Sequence, residues 1–153
     1  MKLYCQDVLK ATDFLPQEVE TAKVDMGTHN FDLFIQTDRQ IIPIELKVES
    51  GDHNEQYYCY LQTAREINKN VPARLYYLTK DKHRPSTNRL NGEKVFENDL
   101  KSVVGNESGV ILISYKDEIL NGLKSCQQDL KNDDEKYLSV QLEFLKDMIK
   151  ENL

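Results

Sequence analysis

The segment IIPIELKVES, residues 41–50, combines an apolar strand pattern with a carboxylate and an ammonium group two residues apart. Side chains alternate between the two faces of a strand, so every second residue shares a face. One face then carries the apolar side chains of Ile42, Ile44, Leu46 and Val48. The other face carries the charged side chains of Glu45, Lys47 and Glu49.

Working outward from this strand, the sequence predicts an α/β protein with a mixed sheet flanked by helices, in the order α-β-β-β-α-β-β-α-α. The predicted elements are a short helix over 2–11, strands over 18–26, 30–37 and 40–49, a helix over 53–69, strands over 73–81 and 109–115, and helices over 117–130 and 138–153. A polar loop is expected between the last two strands, and turns between the first three. The faces expected for the second strand are Phe31, Leu33 and Ile35 on one side and Asp32, Phe34 and Gln36 on the other.

The second predicted strand brings a further carboxylate toward Glu45. Asp32 precedes Glu45 by thirteen residues across a hairpin, which can place the two side by side on one sheet face. Two such carboxylates repel each other unless a cation lies between them or one is protonated. Mg²⁺ prefers hard oxygen ligands, and Lys47 beside it would suit phosphodiester hydrolysis. The alternative is a solvent-facing strand with an ordinary ion pair, worth well under ~1 kcal/mol.

The composition is that of an ordinary globular protein. The 153 residues, 39% hydrophobic and 30% charged, predict one domain over 1–153. No apolar run approaches the ~18 residues of a membrane helix, and the N-terminus does not resemble a secretory signal. Cys5, Cys59 and Cys126 are widely spaced and form no CxxC pair, so we expect free thiols in a reducing cytoplasm.

The charge is uneven along the chain. The formal net charge is −6, yet residues 65–101 hold nine Lys/Arg against five Asp/Glu. Such a segment predicts either a local phosphate-binding surface or a solvated lysine-rich loop. The candidate phosphate contacts in or beside this loop are Lys80, Lys82, Arg84 and Arg89.

Several sequence pieces, in order, resemble the PD-(D/E)XK nuclease superfamily, over roughly residues 18–150. The similarity is greatest to the branch with D-x-x-I, I-E-x-K and Q-x-x-x-Y motifs. The pieces are Glu20, Asp32-Leu33-Phe34-Ile35, Ile44-Glu45-Leu46-Lys47, Gln56 to Tyr60, Tyr77-Leu78-Thr79 and Ser114-Tyr115. One departure is Leu46, where that branch usually has asparagine. The resemblance implies a restriction-endonuclease-like fold and a nuclease of bacterial or phage type.

The resemblance also implies roles for individual residues. Asp32 and Glu45 would bind Mg²⁺ or Mn²⁺ with the Leu46 carbonyl, and Lys47 would be the catalytic lysine. Gln56 would position water or the DNA backbone, and Tyr60, one helical turn later, would face the site and contact the nucleic acid. A further acidic ligand would be Glu20 or, by strand parity, Glu18.

The expected partner is nucleic acid, DNA rather than RNA, with a homodimer or a partner protein also possible and no membrane. The expected reaction is hydrolysis of a DNA phosphodiester by a metal-activated water. Two alternatives stay open at this stage. One is a catalytically silent nuclease-fold module that binds within a defence or repair assembly. The other is a regulatory interaction protein in which the motif residues make only ion pairs.

Overall fold

A computed structural model of the chain describes residues 21–47, 53, 55–88, 90–102 and 107–129 (the backbone alone over 126–129), together with 143, 146 and 147. Several expectations lie outside these residues. They are the helix over 2–11, most of the helix over 138–153, the first part of the strand over 18–26, and the candidate site residues Glu18, Glu20 and Arg89.

The described residues form five strands and three α-helices. The strands are β1 (Lys23–Met26), β2 (Leu33–Gln36), β3 (Ile41–Lys47), β4 (Arg74–Thr79) and β5 (Gly109–Ser114). The helices are α1 (Gln56–Ile67), α2 (Gly92–Ser102) and α3 (Leu120–Asp129). A 3₁₀ turn, Thr28–Asn30, lies between β1 and β2, and a π-helical turn, Tyr115–Ile119, joins β5 to α3.

The five strands form one mixed sheet in the order β1-β2-β3-β4-β5. β1, β2 and β3 pair antiparallel, whereas β3, β4 and β5 pair parallel. Parallel neighbours need a crossover connection, which α1 supplies between β3 and β4 and α2 between β4 and β5. The predicted mixed sheet flanked by helices is confirmed.

The predicted element order is wrong at one place, because Gly92–Ser102 is the helix α2 and not part of a polar loop. Only three of its eleven residues have large apolar side chains. Phe96 is its large buried side chain, and five of its other ten residues are charged. The parallel pairing of β4 with β5 requires a crossover here. Phe96 packs edge-on against Tyr57 of α1, with 5.2 Å between the ring centroids. Tertiary packing therefore stabilises a helix that its own sequence indicates poorly.

Two apolar clusters cover the two faces of the sheet. The α3-side core consists of Ile42, Ile44, Tyr76, Leu78, Ile113, Ile119 and Leu123. The α1-side core consists of Phe31, Phe34, Ile41, Tyr57, Leu61, Ala64, Ala73, Leu75, Tyr77, Phe96 and Val110. The alternation predicted for β3 is thus confirmed, with Ile42 and Ile44 on the α3 side. Glu45 and Lys47 lie on the α1 side by the same alternation.

Phe31 lies on the opposite face from the one predicted. It belongs to the α1-side core, where its ring stacks on that of Phe34 and meets that of Tyr60 edge-on. The distances between ring centroids are 5.8 Å and 5.4 Å. The strand β2 begins only at Leu33, so strand alternation does not extend back to Phe31. The preceding turn contains left-handed residues, among them His29 at φ 56° and Asn30 at φ 66°, and this reverses the direction of the Phe31 side chain.

A matched pair of leucine truncations tests this core. Leu61 is fully buried between α1 and the sheet, whereas Leu90 is 89% exposed. We expect Leu61→Ala to lower the free energy of unfolding by about 2–5 kcal/mol, because it leaves a cavity. Leu90→Ala should change it by less than about 0.5 kcal/mol. Urea denaturation followed by circular dichroism measures both, and equal effects would contradict the described packing.

Candidate active site

Asp32 and Glu45 lie next to each other at the β2–β3 hairpin. Leu33 pairs with Ile44, and Asp32 directly precedes Leu33, close enough to Glu45 for the two carboxylates to interact. The Asp32 Oδ2 atom accepts a hydrogen bond of 2.8 Å from the backbone N–H of Leu46. Asp32 is exposed, whereas Glu45 is only 4% exposed. The hairpin therefore brings together the two carboxylates that the sequence predicted to converge.

Lys47 and Gln56 complete a closed hydrogen-bonded network around Glu45. The Lys47 ammonium lies 3.0 Å from Glu45 Oε1 and donates to Gln56 Oε1 at 2.7 Å. The Gln56 amide in turn donates to Glu45 Oε1 at 2.9 Å and to the Tyr60 hydroxyl at 3.0 Å. Glu45 and Lys47 are each 4% exposed, whereas Gln56 and Tyr60 are half-buried, so the charged centre of the network is largely removed from water.

The start of α1 determines the position of Gln56. Glu55, the residue before the helix, adopts a left-handed conformation with φ 63°, and the Gln56 N–H donates to the His53 carbonyl at 3.1 Å. Tyr57 and Leu61 bury the adjacent side of the helix against the sheet. Gln56 and Tyr60, four residues apart, therefore share the neighbouring stripe, which faces the end of β3.

The environment of Glu45 raises the pKa of its carboxyl group. Burial is the main cause, and the negative charge of Asp32 adds to it. The hydrogen bond and the positive charge of Lys47 act in the opposite direction without cancelling the effect. The charged form of Glu45 is thus less favourable in the protein than in an exposed carboxyl group, and a bound cation relieves this kind of electrostatic strain.

The donor set at this point fits a hard divalent cation. Asp32 and Glu45 supply two neighbouring carboxylates, and the Leu46 backbone lies within hydrogen-bond distance of Asp32. Carboxylate and carbonyl oxygens are the ligands that Mg²⁺ and Mn²⁺ prefer. Within the described part of the chain, no group of three or more His, Cys, Asp or Glu side chains forms a metal site. The expected third acid, Glu18 or Glu20, lies outside that part.

The basic loop after β4 lies at the same edge of the sheet, and two of its basic side chains form ion pairs with carboxylates of this chain. Lys82 forms an ion pair with the buried carboxylate of Glu118, whose other oxygen accepts from the Ser114 backbone at 2.9 Å and from its hydroxyl at 3.0 Å. Arg84 donates to Glu97 at 2.5 Å. Lys80 is exposed.

Phosphate binding by these side chains stays a prediction. The Lys82–Glu118–Ser114 cluster is one that sequence reasoning missed. Ser114 occurred in a recognised motif, but nothing in the local pattern pointed to Glu118.

Comparison with known proteins agrees with this geometry. The family model of the PD-(D/E)XK nuclease superfamily matches residues 5–146. The chain belongs to this superfamily. PD-(D/E)XK proteins are generally nucleases, and the mixed sheet with flanking helices is consistent with their restriction-endonuclease-like fold. No curated protein and no solved structure matches the chain. Among the described residues of this PD-(D/E)XK protein, no helix is long and apolar enough to cross a membrane.

The raised pKa of Glu45 predicts a defined dependence of stability on pH. Between the pKa of the unfolded chain, near 4.5, and the higher pKa of the folded protein, the folded state retains a proton that the unfolded state has lost. The free energy of unfolding, relative to Glu45→Gln, should therefore fall as pH rises through this interval and become constant above it. Urea denaturation of both proteins across this range, with a chelator present, measures the difference. A difference that rises with pH would contradict the assignment.

The Lys82–Glu118 pair predicts a contrast between two lysines of the same loop. Lys82→Met should lower the free energy of unfolding by about 1–3 kcal/mol, because it removes the Lys82 ammonium group from the buried Glu118 carboxylate. Lys80→Met should have almost no effect, because Lys80 is exposed. Thermal or urea denaturation at neutral pH compares them, and equal stability of the two variants would show that the ion pair contributes nothing.

Proposed function

We propose that this protein is a metal-dependent nuclease that hydrolyses DNA phosphodiester bonds. The observation that carries the proposal is the position of Glu45. Its carboxylate lies between that of Asp32 and the ammonium group of Lys47, and Gln56 contacts both Glu45 and Lys47. A structural ion pair alone does not require a second carboxylate that raises the pKa of the first. A bound divalent cation would take both carboxylates as ligands.

Asp32, Glu45 and the Leu46 carbonyl would hold Mg²⁺ or Mn²⁺, with Glu18 or Glu20 as a further ligand. When bound, such an ion lowers the pKa of a coordinated water and offsets charge on the phosphate. The free thiol of Cys59 is consistent with action in a reducing cytoplasm.

Lys47 would act on the reacting phosphate. Its ammonium group is buried and fixed by two hydrogen-bonding partners, so little reorganisation is needed when negative charge develops beside it. Gln56 holds Lys47 through its carbonyl oxygen and is itself held by the Tyr60 hydroxyl. The Gln56 amide therefore keeps the Lys47 ammonium group in one orientation. The buried surroundings strengthen the electrostatic effect of that ammonium group.

DNA is the proposed substrate class, and the basic segment is the proposed contact with its backbone. Lys80 is exposed at the end of β4, the strand that pairs with β3 beside Glu45 and Lys47. Lys82 and Arg84 would have to exchange their carboxylate partners for phosphate oxygens. Because each contact of this kind releases counterions, DNA affinity should fall as salt rises.

A catalytically silent binding module is the second candidate. It is favoured by the contacts within the network, because Glu45, Lys47, Gln56 and Tyr60 bond to one another without any ligand. The ion pairs that Lys82 and Arg84 form within the chain also fit a protein that does not bind DNA tightly. In this case, the same residues would maintain the fold and a binding surface.

Metal titration and cleavage assays of four variants distinguish the two candidates. With Mn²⁺ in calorimetry, we expect binding to the native protein, loss in Asp32→Ala and Glu45→Ala, and retention in Lys47→Met. Cleavage of circular, linear and single-stranded DNA should be lost in the first two and fall at least about 100-fold in Lys47→Met. Glu66→Ala, an exposed carboxylate on α1, is the matched control and should behave as the native protein does.

The outcomes separate cleanly. Metal binding that is lost with Asp32 and Glu45, together with cleavage that needs Lys47, supports the nuclease. Metal binding without cleavage of DNA or of matched RNA substrates favours the silent module. Identical metal affinity in Asp32→Ala and Glu66→Ala would overturn the proposed cation site.

A further inference from the structure

Thr79, the last residue of β4, lies directly beside Lys47. The parallel register pairs Lys47 with Thr79, and Thr79 in turn with Ser114 of β5. In the same register Glu45 pairs with Tyr77, which belongs to the α1-side core. Because side chains alternate along a strand, Thr79 lies on the same face of the sheet as Tyr77, Glu45 and Lys47. Adjacent strands are about 4.8 Å apart, so Thr79 and Lys47 are close neighbours.

The Thr79 hydroxyl is buried and unpaired. Thr79 is 0% exposed, and its Oγ1 atom has no hydrogen-bond partner among the residues that the structure describes. Burial of a hydroxyl without a partner opposes folding. Valine has the same shape and would fill this position without that cost. A hydroxyl here therefore points to a partner in another state of the site.

The neighbours of Thr79 indicate which partner this is. On the β5 side, Ser114 already donates its hydroxyl proton to Glu118 and accepts from the Asp117 N–H at 3.0 Å. On the β3 side, the Lys47 ammonium contacts Glu45 and Gln56, which accounts for two of its three N–H donors. The third N–H of the Lys47 ammonium group is therefore available, and the adjacent Thr79 hydroxyl can accept a hydrogen bond from it.

We propose that Thr79 is a positioning residue, whose hydroxyl accepts a hydrogen bond from Lys47 when Glu45 turns its carboxylate to a bound cation. The inference rests on the proposed metal site. One Glu45 oxygen cannot bind a cation and accept a full hydrogen bond from Lys47 at the same time. The contact between the ammonium group and Glu45 therefore weakens. Thr79 replaces this contact from the neighbouring strand, and Gln56 maintains the other. Lys47 then stays directed at the phosphate.

Two substitutions at Thr79 separate positioning from simple space filling. Thr79→Val keeps the shape and removes the hydroxyl, and Thr79→Ser keeps the hydroxyl. We expect Thr79→Val to lower kcat roughly 10- to 100-fold at nearly constant KM, because a hydrogen bond to a charged group is lost. Its urea midpoint should be equal to or higher than that of the native protein. Thr79→Ser should retain most of the kcat.

The ¹⁵Nζ resonance of Lys47 supplies a readout that does not depend on activity. It is identified by its absence in Lys47→Met and is recorded with and without Mg²⁺. We expect Mg²⁺ to shift this resonance in the native protein and in Thr79→Ser. In Thr79→Val, the resonance recorded with Mg²⁺ should lie at a different position from that of the native protein.

Thr37→Val is the matched control. Thr37 is also a buried threonine, but its hydroxyl accepts from the backbone N–H groups of Arg39 and Gln40 at 3.2 and 3.1 Å, in the β2–β3 hairpin. Thr37→Val should lower the urea midpoint without shifting the Lys47 resonance.

Each result decides a separate point. If Thr79→Val matches the native protein in both kcat and the Lys47 resonance, the proposal is wrong. If the native protein binds Mg²⁺ but cuts no DNA, a Lys47 resonance that still depends on the Thr79 hydroxyl supports the contact, while the nuclease proposal fails. Should Thr79→Val not fold, as judged by circular dichroism, Thr79→Ala lacks the same hydroxyl and takes its place.

Discussion

The burial of Glu45 and Lys47 at the end of β3 is the constraint on which the rest of the site depends. Two opposite charges that are 4% exposed lose most of their hydration, and their mutual attraction compensates only if their remaining donors and acceptors are satisfied. Gln56 meets part of this requirement, since one amide bonds to both charged groups. The position of α1 is therefore linked to the ionic chemistry at the end of the strand.

Asp32 makes this arrangement electrostatically incomplete. Its charge adds to the effect of burial and raises the pKa of Glu45, whereas a purely structural ion pair would be more stable without it. The left-handed turn before β2 and the stacking of Phe31 on Phe34 hold the chain on either side of Asp32. The fold thus maintains a repulsion between two carboxylates beside a fixed ammonium group, which is the arrangement expected where a cation binds.

A second layer of polar contacts follows the same edge of the sheet. Lys47, Thr79 and Ser114 form one row across β3, β4 and β5, and Ser114 continues through Glu118 to Lys82. The ends of parallel strands meet at this edge, so short polar side chains from different parts of the chain become neighbours. The basic loop after β4 is attached here by Lys82, and Arg84 attaches it to α2 through Glu97.

The sequence by itself determined the faces of β3, the hairpin that joins Asp32 to Glu45, and the helical spacing of Gln56 and Tyr60. All three depend on local periods of two or about four residues, which are visible in the chain. Only the tertiary structure decided that Gly92–Ser102 is a helix, that Phe31 packs on the α1 side, that Lys82 and Arg84 are bound internally, and that Thr79 lies beside Lys47. These features arise from the register of parallel strands joined by crossovers and from packing between distant segments, and no local pattern encodes either of them.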